Sequence, residues 1–159
     1  MGLKKNSVSI LLVLVALLLI GGGAVIMFYR TAPAQAITVN AQPVSPEQIA
    51  LGKQVYNANC ADCHGANAEG QPNWKIPDEN GAFPAPPHNS QGHTWHHADD
   101  LLLEIIADGG GTFSPTSGMP GYKDVLTEEE MVTVLAYIKT FWGAEEMEFQ
   151  NQMMQNSQN

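Results

Sequence analysis

An all-α domain behind one hydrophobic N-terminal segment is the fold the sequence predicts. Three stretches place apolar residues at helical spacing behind recognisable caps, and no stretch sustains the alternation of a strand. Residues 8–29 run without a charge.

Val8 to Tyr29 is 22 residues long. As a helix it would reach about 33 Å, enough to cross a bilayer core. Lys4 and Lys5 precede it, which predicts a cytoplasmic N-terminus and a domain on the outer side. A cleaved signal peptide is the alternative, with Ala34-Gln35-Ala36 as its small-x-small site. The apolar run exceeds a signal core, so residues 1–30 are expected to be a retained anchor. Thr31 to Ser45 is rich in Ala and Pro and reads as a flexible linker (31–45).

Ser45-Pro46-Glu47-Gln48 is a helix start, with Ser45 as cap, Pro46 in the first turn and Gln48 closing a capping box. Ile49, Gly52 and Tyr56 share a face of a helix expected over about 46–58. A second helix is expected from Ala98 to about Ala107, with Asp99 serving its N-terminus. Leu101, Leu102, Ile105 and Ile106 form its stripe, and Gly109-Gly110-Gly111 ends it. A third is expected from Thr127 to Trp142, opened by a Thr127/Glu130 capping box and stopped by Gly143. Between the first two lies a Gly-, Pro-, Asn- and His-rich loop, Gly65 to His97, of a length that is usually functional. The domain is thus expected over 46–143, with a polar tail over 144–159 that is either helical or disordered.

Beyond residue 30 the chain has four lysines against sixteen Asp and Glu, a balance of −12. That excludes nucleic-acid binding through a basic face. The length excludes a TIM barrel or a two-domain Rossmann enzyme. Two cysteines are too few for a disulfide scaffold.

Those two cysteines lie in Cys60-Ala61-Asp62-Cys63-His64, the C-x-x-C-H attachment signature of c-type haem. Thiols one helical turn apart can each form a thioether to one porphyrin vinyl group, and His64 then offers its imidazole to the iron. A thioredoxin-like pair would follow a strand, and none is expected here. Zinc would need two further ligands, which His93, His96 and His97 could supply. A disulfide would close a trivially short loop. One motif predicts one covalent haem c.

The expected sixth ligand is Met119, in the Gly/Pro loop Ser117 to Tyr122 before the last helix. Met131 belongs to the helical stripe, and Met147, Met153 and Met154 to the tail. His88, His93, His96 and His97 are the rival ligands. The last three have i, i+3, i+4 spacing, which a helix would gather, so a second metal such as copper is the alternative use. Trp95 is expected against the porphyrin edge.

With these residues in place, the stretch from Ser45 to Gly143 resembles a class I c-type cytochrome. The resemblance rests on Gly52 to Tyr56 before the C-x-x-C-H motif, on Pro84-Ala85-Pro86-Pro87, on Met119-Pro120-Gly121-Tyr122, and on Leu126 to Lys139. It implies that the first and last helices cross closely at Gly52, with Tyr56 and Tyr137 around the crossing. It also implies that a carbonyl of the proline segment, with Pro86 the candidate, accepts the His64 N–H. The run from Ala85 to His97 is similar to one in a subset of bacterial monohaem cytochromes.

Together with the expected anchor over residues 1–30, the resemblance implies a membrane-tethered one-electron carrier rather than an enzyme. Cys60 and Cys63 would hold the haem, and His64 and Met119 the iron. The expected partners are a quinol-oxidising complex or a terminal oxidase in the same membrane, docking through a basic face. Two alternatives stand beside it. One is a haem catalyst or gas sensor with an open iron site. The other is a copper-handling redox protein using the 88–97 histidines.

Overall fold

The computed structural model describes residues 36–156. The expected anchor and the first part of the linker lie outside the described residues. Among the described residues no helix is long and apolar enough to cross a membrane.

A small hairpin comes first. Its strands β1 (Thr38–Val39) and β2 (Gln42–Pro43) pair antiparallel, with Val39 opposite Gln42. Asn40 and Ala41 turn it with positive φ. Two-residue strands are too short to show an alternating pattern. Among the described residues five helices follow: α1 (Pro46–Asn59), α2 (Ala61–His64), α3 (Asp99–Asp108), α4 (Glu128–Lys139) and α5 (Ala144–Asn156). Single 3-10 turns occupy Thr94–His96 and Gly110–Thr112.

The caps of α1 and α4 form as expected. Ser45 Oγ accepts from Gln48 N–H while Gln48 accepts from Ser45 N–H, and Thr127 and Glu130 do the same. The α3 cap does not. Its N-cap is Ala98, without a side-chain bond, and the Asp99 carboxylate instead turns inward to Lys139. Helix α4 ends at Lys139 rather than reaching Trp142, because the chain tightens through Thr140 before Gly143. The segment after Gly143 is the helix α5, whose Met147 and Gln150 are buried.

Helices α1 and α4 pack most closely. A Cβ on Gly52 would run into the Thr133 carbonyl oxygen, so only glycine permits this approach. Tyr56 and Tyr137 meet edge to face across the crossing, their ring centroids 5.4 Å apart. Val55, Tyr56, Leu102, Ile106, Val134, Leu135 and Ile138 form the centre of the core.

Candidate haem site

The cysteine motif begins where α1 ends. Cys60 caps α1, its N–H donating to Tyr56 O at 2.9 Å, and His64 N–H donates back to Cys60 O at 2.9 Å. This short continuation sets Cys60 and Cys63 one turn apart. Both thiols are free, Cys60 half-buried and Cys63 exposed. Burial pushes the Cys60 thiol up to about 11, with the neighbouring Cys63 adding to the shift.

His64 is buried, and its Nδ1 lies 2.9 Å from Pro86 O. With a carbonyl as partner, Nδ1 carries the proton and Nε2 is left as the lone-pair donor. Burial lowers the His64 pKa below the ordinary histidine value, against the opposing pull of the Pro86 carbonyl.

Met119 is held by the end of α3. Its carbonyl accepts from Gly110 N–H at 3.1 Å, and its N–H donates to Ser117 Oγ at 3.3 Å. Gly109 has φ +84, and a Cβ there would press on Gly121 N and Met119 O. The loop therefore packs directly against the helix end. Tyr122 continues the attachment, donating its N–H to Ile106 O and its hydroxyl to Asn59 O at 2.7 Å.

A partly open cleft with about 60 Å³ of enclosed space runs from Cys60 to Met119. Leu102, Ile106, Leu126, Val134, Leu135 and Ile138 give it apolar walls, and Cys60, Met119 and His88 also line it. The cavity chemistry fits a haem: an apolar chamber, a thiol pair at helical spacing beside it, an imidazole with a free Nε2, and a thioether sulfur on a braced loop. His64 is not itself a lining residue. It borders the chamber through His88, whose ring stacks on the His64 ring.

The rival histidines lie near one another without forming a ligand set: the His93 and His97 rings meet edge to face at 5.6 Å. Only the single 3-10 turn Thr94–His96 forms where helical spacing would have gathered His93, His96 and His97. His93 stacks on Trp74, and His96 packs on Trp95 and Phe149. Among the described residues no three of His, Cys, Asp or Glu could hold a metal ion. His88 stacks face to face on His64 at 4.0 Å, which leaves no space for an ion between the two rings. Trp95 packs on His96 and Phe149 instead of lining the cavity, and its buried Nε1 has no partner among the described residues.

The cytochrome c family model matches residues 49–142. The chain belongs to the cytochrome c family. It is an electron-transfer cytochrome and carries covalently attached haem c. Its similarity to a nitrite reductase from Stutzerimonas stutzeri is 31% identity over 109 residues, covering 62% of this chain and 18% of that protein. A cbb3-type cytochrome c oxidase subunit FixPc from Rhizobium leguminosarum bv. viciae is 31% identical over 99 residues, 60% of this chain and 30% of the subunit. Chloroplastic cytochrome c6 from Chlamydomonas reinhardtii is 29% identical over 110 residues, 64% of this chain and 60% of that protein. The matched region spans less than a third of the first two relatives.

Sequence reasoning did not find the place of His88. It stood among candidates for the far side of the iron, and its ring lies against His64. Nothing local in the sequence marks that contact.

Proposed function

We propose that this cytochrome is a membrane-tethered one-electron carrier in which Cys60 and Cys63 anchor the haem and His64 and Met119 ligate its iron. The carrying observation is the buried His64 with Nδ1 on the Pro86 carbonyl, beside an apolar chamber that Met119 also lines. When bound, haem c supplies a one-electron iron couple. The chain's own residues then have three tasks. Pro86 O fixes the His64 tautomer so that Nε2 faces outward as donor. The Gly110 and Ser117 bonds hold Met119 on a short, braced loop. The apolar walls exclude water, which disfavours charge on the iron and supports a raised reduction potential.

Two fixed ligands leave no position for substrate, which supports a carrier over a catalyst or gas sensor. The charge-free run 8–29 behind Lys4 and Lys5 supports the tether. The similarity to an oxidase subunit supports a terminal oxidase as one partner, and a quinol-oxidising complex is the matching donor. The acid excess supports a basic docking face on at least one of them.

The test is the far-red sulfur-to-iron charge-transfer band of the oxidised, haem-loaded protein. It is expected in the wild type and lost in Met119→Ala. A low-spin wild-type spectrum without the band would exclude Met119, and a high-spin one would favour the open-site catalyst.

A further inference from the structure

We propose that His88 is a positioning residue that fixes the rotation of the His64 ring. The inference rests on the reading of His64 as an iron ligand. The two imidazoles stack with centroids 4.0 Å apart and planes 23° from parallel. That is van der Waals contact between the two ring faces.

His88 is itself held through its backbone and one ring nitrogen. Its N–H donates to Ala68 O at 2.9 Å, and its carbonyl accepts from Trp142 Nε1 at 2.7 Å. Its Nδ1 lies 2.8 Å from Thr94 Oγ1. The backbone bonds set where the ring stands, and Thr94 sets how it is turned. Gly92 closes the turn behind it, since a Cβ there would run into Pro87 O.

One hydrogen bond, from His64 Nδ1 to Pro86 O, defines a direction but lets a ring rock about that line. A flat, tethered slab against one face removes this freedom. An aliphatic side chain at 88 would fill the volume without presenting a plane. With haem bound, His64 would hold the iron, and the orientation of its ring would set how unpaired spin spreads over the porphyrin. His88 thereby acts on the iron through His64, without touching it.

The test uses the haem-loaded full chain and its His88→Leu, His88→Phe and Thr94→Val variants. The readouts are the four haem methyl resonances of the oxidised protein by NMR, and the urea midpoint. His88→Leu is expected to change the spread of the four resonances, and His88→Phe, which restores a flat face, to bring it back towards wild type. Thr94→Val, which keeps the ring but removes its tether, is expected to shift the resonances in the same sense as His88→Leu. If the variants change only the urea midpoint, His88 is core packing and the inference falls. If His88→Leu does not fold, the Thr94→Val and His88→Phe comparison decides alone: unchanged resonances in Thr94→Val overturn the inference. A high-spin wild-type spectrum overturns the ligand reading itself, and the inference with it.

Discussion

Asp99 and Lys139 form an ion pair at 2.6 Å with side chains only 1% and 2% exposed. Asp99 also accepts from Asn40 N–H and from Gln150 Nε2, each at 2.8 Å, and Lys139 donates to Thr38 O at 2.7 Å. The pair thus joins the hairpin, α3, α4 and α5. Burial pushes the Lys139 ammonium below its ordinary range, and the Asp99 carboxylate opposes that shift. Removing one partner strands the other charge, so Asp99→Leu should cost about 3–5 kcal/mol in urea unfolding of the haem-loaded protein. The double variant Asp99→Leu, Lys139→Met should recover much of that loss. A double variant as unstable as the single one would contradict this account.

Gly52→Ala should destabilise the protein despite alanine's better helix propensity. Propensity favours alanine by about 1 kcal/mol. The added methyl must displace the Thr133 carbonyl, a backbone atom that cannot rotate away. Overpacking of this kind costs about 1–3 kcal/mol. Thermal unfolding should show a lower midpoint, with the visible spectrum of the folded protein unchanged.

The Tyr56 hydroxyl donates to Gly65 O at 2.8 Å inside the core. Burial first, and then the charges of Glu69 and Tyr137, raise its pKa above the ordinary 10.0. Above pH 10 the unfolded chain therefore loses this proton while the folded one keeps it. The unfolded state then binds fewer protons, and stability falls as pH rises. Relative to Tyr56→Phe, the wild type should lose stability progressively above about pH 10, the unshifted tyrosine value. Parallel curves for the two proteins would show that Tyr56 does not titrate on unfolding.

Gln150 is 1% exposed and donates to His97 O and Asp99 Oδ1 from one amide nitrogen. Gln150→Leu leaves both acceptors one donor short, at a cost of about 1–3 kcal/mol. Proteolysis should then cut within α5 sooner than in the wild type. The far-red band, which depends on residues bound to α1 and α3, should persist.

Local chemistry was legible. The Ser45/Gln48 and Thr127/Glu130 boxes act within four residues, so the caps could be read directly. The C-x-x-C-H spacing and the Pro86 acceptor followed from a motif and a resemblance, and the structure places the Nδ1 contact at Pro86. Long-range competition was not legible. Asp99 suited a helix N-terminus, and a lysine 40 residues later drew it inward. Helix α5 is too polar to declare itself, and its burial arises from the partners of Met147 and Gln150 elsewhere in the chain. The histidines at 93, 96 and 97 had helical spacing, but the chain makes only one 3-10 turn there.

The walls of the cavity also impose an order in time. A chain is synthesised N-terminal end first. Leu102, the first of the aliphatic wall residues, follows Cys60 by 42 residues, and Ile138 follows it by 78. Both thiols and His64 are therefore made before any of the aliphatic walls around them. The chamber cannot close around the motif until at least 78 residues beyond Cys60 have been made.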